Sequence, residues 1–517
     1  MMKLIQNKAG SFFKNHTGFL LILFLFLGAI LRIISIDKNS YYFDEIFSIY
    51  NTDLNFGDFY FSPTRSLITL QVLPLYYMVL NLWVNLFSSA EFVTRLLSAI
   101  FGVTNIFMTY KVGNELFNKY VGLFASFINT ISFMQIYYSQ EIRYYALLEL
   151  LTLVSYFYFI KYLKNKNKTH LLVCCLVNIL ACYCHTFGIF TMMAQVIFMM
   201  WAGIRNKKID KPFWFYTAMT GLLIIVGWLP IFGNLYTRGN TNLLPGWMKA
   251  PSPADLVRTL FVYIFPPRFN SSISSVAPLY IGAGLFFLAI AFYYLYRSRK
   301  SITKKDVTST YVDSWMQKKD ELILSCLWLI TPILTPFILS FIVMPMYQDR
   351  YTIGATPAFY FLIAYFLYIT RKYLPAYTFV AAALIIIIPR LFFFYTNPVK
   401  EQWRDGASLI DTMSTQNDII VFAHDTDGWR QKCLQWYLKT PLATCNLDDN
   451  MVDKNNAVSQ LNQCVKGYER YWFVVRGEEV NKEEYKKEIL NQGEFQLSKE
   501  YPFFGITLYL VDHPTAK

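Results

Sequence analysis

Charged residues are scarce in this chain: Asp, Glu, Lys and Arg make up 16% of its 517 residues, against about 25% in soluble proteins. Histidine occurs 5 times and cysteine 8 times, too thin a supply for a small disulfide scaffold. Glycine (23) and proline (20) show no period, which excludes a collagen-like fibre. No internal repeat or low-complexity segment stands out, and no glycine-rich phosphate fingerprint follows a strand-like run. What is abundant is apolar: 55% hydrophobic and 18% aromatic residues, which excludes a disordered chain. The charge that exists is unevenly placed. Residues 400–517 hold 18 Asp/Glu and 14 Lys/Arg, a net of −4, while residues 1–399 hold 16 and 33, a net of +17. The basic residues sit between long apolar runs rather than on one surface, so no nucleic-acid partner is expected.

A helix needs about 20 apolar residues to cross a bilayer core. Eleven stretches qualify: 17–36, 93–110, 119–137, 144–163, 170–184, 186–204, 213–233, 276–296, 321–343, 351–370 and 375–395. Basic clusters between them mark the cytoplasmic side: Lys161/Lys164/Lys166/Lys168, Arg205/Lys207/Lys208/Lys211, the run Arg297 to Lys319, and Arg371/Lys372. Residues 67–87 are also apolar enough to span, but a span there would turn every later cluster outward. Laid in the outer interface, they leave 22 Lys/Arg in inside loops and 11 elsewhere in residues 1–399. Pro74, Tyr76, Tyr77, Asn81, Trp83 and Asn85 suit such an interfacial helix. By the same parity, 170–204 crosses twice and turns near His185. Span 17–36 carries Arg32 and lacks a small-x-small cleavage site, so it reads as a retained anchor.

The expected architecture is an α-helical polytopic membrane protein of about 11 transmembrane helices plus outer juxtamembrane helices, N-terminus cytoplasmic. The transmembrane domain covers 1–395, with long outer loops 37–92 and 234–275. A soluble extracytoplasmic α/β domain covers 396–517. There, amphipathic stretches 401–415 and 482–491 alternate with strand-like runs Asp418–Phe422, Tyr471–Val475 and Ile506–Val511. Cys174, Cys175, Cys182 and Cys184 share one span without a zinc spacing and read as small apolar residues. Cys433, Cys445 and Cys464 fall in the outer domain, where one disulfide is permitted, and Cys445–Cys464 is the pair expected.

Charges at a membrane are costly, and those kept on one side need an account. The outer side collects five groups. Asp44-Glu45 follow the first span; they read either as a general base with a metal or sugar contact, or as two solvated loop acids. A divalent ion at this pair has no complete ligand set in the sequence. Arg95 opens the second span, as a site residue or an interfacial anchor. Glu141, Arg143 and Tyr145 lie at the mouth of the fourth span. Glu141, Tyr145 and Glu149 are spaced to share one helix face, which puts Glu149 inside the membrane, facing a wet cavity or bonded within the bundle. His185 marks the hairpin turn. Asp349, Arg350 and Tyr351 open a late span, with Arg350 either a phosphate clamp or paired with Asp349.

Outside the cytoplasm no nucleotide-activated sugar is expected. An enzyme there must use a substrate already activated and already in the membrane, and a lipid-linked phosphate is the natural one. Arg95, Arg143 or Arg350 would meet its phosphate, and a carboxylate, best Asp44, would deprotonate an acceptor.

Four motifs and a fifth, later one bear on this: Phe43-Asp44-Glu45; Pro74-Leu75-Tyr76-Tyr77; Glu91-Phe92-Val93-Thr94-Arg95-Leu96-Leu97-Ser98; Tyr138-Ser139-Gln140-Glu141-Ile142-Arg143-Tyr144-Tyr145-Ala146-Leu147; and Asp349-Arg350-Tyr351. In this order and on one face they resemble the GT-C membrane glycosyltransferases, in particular the protein mannosyltransferase and aminoarabinose transferase-like group, over roughly residues 15–400. The resemblance implies a polyprenyl-phosphate sugar donor, an inverting transfer and an extracytoplasmic site in a bacterial inner membrane. It matches Asp44 to the catalytic acid, and Arg95, Glu141 and Arg143 to cavity residues. Members often carry two prolines preceded by His or Lys at the interfacial helix; here Gln71-Val72-Leu73-Pro74 departs from that. Two other readings stand beside a glycosyltransferase: a glycan ligase or polymerase using a lipid diphosphate, and a transporter or flippase of lipid-linked sugars. The latter predicts repeated halves and broken helices, which the sequence lacks.

Overall fold

The computed structural model describes residues 16–52, 73–237, 248–265, 318–370, 376–423, 425, 428–447, 454–477 and 496–512. The expected span 276–296, most of the basic run 297–319 and the stretch 482–491 lie outside them. The chain divides into two compact units. One comprises Met1–Ile34, Thr52–Ser88 and Val93–Phe392; the other comprises Ser35–Asn51, Ser89–Phe92 and Phe393–Lys517. Residues just after the first span therefore belong with the tail.

Among the described residues, six helices are long and apolar enough to cross a membrane: Glu91–Leu116, Tyr145–Asn165, Gly188–Asn206, Lys211–Leu229, Lys319–Ile342 and Asp349–Ile369. Shorter apolar helices cover Thr17–Ile33, Lys168–Cys184 and Ala383–Thr396. The ambiguous stretch 67–87 is helical over Pro74–Leu86. Pro74 opens that helix, where a missing N–H loses no bond. Its 13 residues rise about 20 Å, short of the roughly 30 Å hydrocarbon core.

Two spans depart from simple helices. The stretch 119–137 breaks into Lys119–Ile131 and Phe133–Ser139. The break falls at Ser132, whose Oγ accepts from the Gln135 N–H at 3.4 Å and donates to the Tyr263 carbonyl at 2.6 Å. A side chain that caps a new helix in this way competes with continuing the old one. The late span starts as a 3-10 helix, Asp349–Ala355, and turns α-helical at Thr356. Trp328 packs here: its ring stacks on Tyr156 at 3.5 Å and its Nε1–H donates to the Gly354 carbonyl at 2.8 Å.

The hairpin turns at His185, as the parity argument requires. Helices Lys168–Cys184 and Gly188–Asn206 meet so closely that a Cβ on Gly188 would fall 2.6 Å from the Ala181 carbonyl group. A closed ring of polar side chains ties the hairpin to helix Tyr145–Asn165. Asn178 donates to Gln195 at 2.9 Å, Gln195 to Ser155 at 2.8 Å and Ser155 back to Asn178 at 2.6 Å. Each member satisfies the next, as an apolar surrounding demands. Cys174, Cys175, Cys182 and Cys184 are buried and reduced. Glu149 also bonds inward: its carboxylate accepts from Asn105 and Asn129, both at 2.9 Å. The fully buried Arg32 donates to the Asn129 carbonyl at 3.0 Å.

The second unit holds a five-stranded sheet: β1 Ile419–Phe422, β2 Ala443–Asn446, β3 Arg470–Arg476, β4 Gln496–Phe503 and β5 Ile506–Asp512. The strand order is β2-β1-β3-β5-β4. The first three strands in that order run parallel, while β5 and β4 are antiparallel additions. Strands β1 and β5 read as near-continuous apolar runs because both faces are covered. One face packs Val421, Phe473, Tyr509, Leu461 and Val465. Strands β2 and β4 carry exposed polar positions, so their sequences give little apolar signal. Cys445 and Cys464 form a disulfide and Cys433 is free and buried.

Candidate active site

In the first unit, side chains from four segments gather at one end of helix Tyr145–Asn165. Arg143 is buried; it donates to the Tyr77 hydroxyl at 3.4 Å and lies 4.9 Å from the Tyr144 ring centre. The His185 ring stands 4.5 Å from that of Tyr144 and 4.9 Å from that of Tyr351. The Arg350 guanidinium lies 5.3 Å from the Tyr351 ring. Tyr145 is fully buried between Tyr138, at 4.5 Å, and Tyr144, at 4.7 Å. Its hydroxyl has no hydrogen-bond partner among the described residues. A buried hydroxyl left unpaired is expensive, so this one calls for a partner beyond the described side chains.

The chemistry of His185 follows from this setting. Burial, then the positive charges of Arg143 and Arg350, push its imidazole down to about 3. It is therefore neutral at ordinary pH. Its Nδ1 accepts the Phe187 N–H at 3.1 Å, so a neutral ring must carry its proton on Nε2. The group thus offers two guanidinium groups, a tyrosine hydroxyl and an imidazole N–H, each able to donate.

Several expectations change in detail. Glu141, Tyr145 and Glu149 do not share a helix face: the helix begins at Tyr145, and Glu141 lies in the bend that precedes it. Glu141 is nonetheless buried. Asp349 pairs with Arg258 at 3.2 Å and accepts the backbone N–H of Arg350 at 2.7 Å; its ion pair is not with Arg350. Arg95 is buried within helix Glu91–Leu116, unlike an interfacial anchor. Tyr77 reads from the sequence as part of an interfacial-helix motif, with no contact to Arg143 foreseen; Phe187 and Arg258 were not named as site residues.

In the second unit, helix Phe43–Tyr50 carries Asp44 and Glu45 in its first turn, where the helix dipole favours anions. The two acids differ. Glu45 is fully buried; it accepts the Tyr42 N–H at 3.4 Å and pairs with Lys400 at 3.3 Å. Asp44 is half-buried and accepts from the Tyr42 hydroxyl at 3.4 Å. The helix is held by its own unit: Phe47 packs on Trp429 at 5.0 Å, the Phe43 backbone N–H donates to the Glu401 carboxylate at 3.3 Å, and Arg404 bridges Glu91 and the Lys38 carbonyl. No group of three or more His, Cys, Asp or Glu able to hold a metal exists among the described residues.

Comparison with known proteins bears on this arrangement. Residues 71–231 match the family model described as dolichyl-phosphate-mannose-protein mannosyltransferase. ArnT from Cupriavidus metallidurans bound to undecaprenyl phosphate superposes with a TM-score of 0.56 at 13% identity, over 96% of this chain and 98% of that one. The same protein in the apo state gives 0.54 at 13% identity, over 95% and 97%. The chain shares the fold of ArnT, a GT-C fold. The apo oligosaccharyltransferase of Archaeoglobus fulgidus shares the GT-C fold too, with a TM-score of 0.51 at 12% identity over 90% of this chain and 70% of that one. No curated protein sequence matches significantly. The GT-C match spans both units, and the family match covers Arg95, Glu141, Arg143, Tyr145 and His185.

Proposed function

We propose that the chain transfers a sugar from a polyprenyl-phosphate-linked donor to an acceptor on the extracytoplasmic face of the membrane, with inversion. The observation that carries this reading is the cluster of donors around Tyr145: Arg143, Arg350, the Nε2–H of His185 and a buried hydroxyl with no partner among the described residues. Such a cluster suits a phosphate, since each of these groups can donate to its oxygens. The fold neighbour that holds undecaprenyl phosphate supports a lipid phosphate as the leaving group. The Cys445–Cys464 disulfide supports an extracytoplasmic tail, because disulfides persist in oxidising compartments.

In this reading Asp44 is the general base. It takes the proton of an acceptor hydroxyl or amine as that atom attacks the anomeric carbon. The bond from that carbon to the lipid-phosphate oxygen breaks, its electron pair stays on the oxygen, and the configuration inverts. Arg143 and Arg350 stabilise the charge that builds on the phosphate. Glu45, tied to Lys400, positions the helix that bears Asp44. Arg95, Glu141 and Tyr351 belong to the same proposal as substrate contacts. The test is Asp44→Asn in membranes supplied with a labelled polyprenyl-phosphate sugar. Loss of transfer with retained donor binding is expected, and transfer at the wild-type rate would remove Asp44 from the mechanism.

A further inference from the structure

At the other end of helix Tyr145–Asn165 the first unit contains a cavity. Tyr145 and Lys164 are separated by 19 positions, or about 28 Å of helix, close to one bilayer core. The cavity has a volume of about 940 Å³, at the upper end of the roughly 300–1,000 Å³ usual for ligand pockets. Helices Tyr145–Asn165, Gly188–Asn206 and Lys319–Ile342 and the start of Lys211–Thr237 line it.

Its lining is sorted by depth. The inner wall is apolar: Leu116, Ile160, Phe198, Met199 and Leu324. Phe198 lies 8 residues before the end of its helix at Asn206, so the wall reaches about 12 Å below the rim. The rim carries six Lys/Arg and three Asp/Glu, a net of +3. Part of this charge is internally spent. Lys166 pairs with Asp210 at 2.9 Å, Arg205 bonds both oxygens of Asp320, and Lys164 pairs with Glu115 at 2.9 Å. Lys318 takes up Glu321 at 2.7 Å. Lys208, Lys211 and Lys319 remain; all three are exposed and none forms an ion pair among the described residues. An ordinary basic loop would be a solvated surface with no wall behind it. Here the surplus cations ring an apolar recess that opens where a membrane's headgroups would lie.

We propose that this cavity binds an anionic phospholipid of the adjacent leaflet, with the phosphate at Lys208, Lys211 and Lys319 and the upper acyl chain along the apolar wall. Basic pockets between transmembrane helices take anionic headgroups for this reason, and the apolar depth selects a lipid over a soluble phosphate ester. The site is separate from the sugar-transfer group and does not depend on that reading.

The test is native mass spectrometry of the full chain in detergent, titrated with dioleoylphosphatidylglycerol or dioleoylphosphatidylcholine. The wild type should retain the anionic lipid at least about 10-fold more tightly. Each lysine near the surface is worth roughly fivefold in binding, so the triple variant Lys208→Ala/Lys211→Ala/Lys319→Ala should bind it about 100-fold more weakly. The corresponding triple arginine variant should bind like the wild type, which separates loss of charge from loss of fold. Equal retention of the two lipids, or an alanine variant that binds as well as the wild type, overturns the proposal. So does full displacement of the lipid by glycerol 1-phosphate, which would make the site one for a free phosphate ester.

Discussion

Tyr145→Phe separates a binding role from a structural one because the two predict opposite signs. The substitution removes one oxygen and leaves the ring between Tyr138 and Tyr144, at 4.5 and 4.7 Å. In the protein alone the hydroxyl is buried with no partner among the described residues. A group in that state costs about 1–3 kcal/mol, so the variant should be more stable, melting higher by about 2 °C or more. With a lipid phosphate bound, the same hydroxyl donates to a charged oxygen, a bond worth about 1.5–3 kcal/mol. Its loss should weaken binding about 10- to 150-fold. The assay is a pair of measurements on purified protein: thermal unfolding without ligand, and the Kd for undecaprenyl phosphate. A variant that melts lower while its Kd stays at the wild-type value would refute the reasoning, since the hydroxyl would then be serving the fold.

Three further outcomes are expected. His185 has a folded-state value of about 3, below the roughly 6.5 of an unfolded histidine, so the unfolded chain binds the extra proton between those limits. Stability therefore falls as pH drops through that window, by about 2 kcal/mol between pH 7 and pH 5; thermal unfolding of His185→Gln should lack this part of the slope. Glu149→Ala should destabilise by about 1–3 kcal/mol, because it leaves the buried side-chain amides of Asn105 and Asn129 without their acceptor; thermal unfolding measures it. Cys445→Ser should destabilise the second unit by about 3 kcal/mol, the chain-entropy value for a sequence separation of 19; urea unfolding and thiol counting under non-reducing conditions check it.

The legible parts were those with a strong period or a strong charge cost. The spans at 144–163 and 321–343 appear as Tyr145–Asn165 and Lys319–Ile342, and the turn near His185 follows from counting basic loops. Three strands were readable because both faces are buried and the runs are apolar. Strands β2 and β4 were not, since a half-exposed edge strand such as Ala443–Asn446 has no such run. The break at Ser132 was hidden because it depends on the Tyr263 carbonyl, more than a hundred residues away. At the candidate site, the unusual charges Arg143 and Arg350 were visible, as was the histidine. Phe187 was not, and the contact of Tyr77 with Arg143 was not, because a tyrosine or phenylalanine in a chain with 38 and 46 of them announces no partner until its neighbours are known. The i, i+4 spacing of Glu141 and Tyr145 misled because it presumes a helix that has not yet begun.

The tail cannot be treated as a removable attachment. Helix Phe43–Tyr50 owes the counter-ion of its Glu45 to Lys400, its aromatic packing to Trp429, and the anchoring of the segment before it to Arg404. All three partners come from beyond residue 396. A chain truncated there would keep every residue of the Phe43-Asp44-Glu45 motif and lose what holds them in place. Exchange of tails between related proteins therefore requires residues 35–51 and 89–92 to travel with the tail. In this protein the unit of inheritance is three segments, the first and last separated by more than 340 positions of sequence.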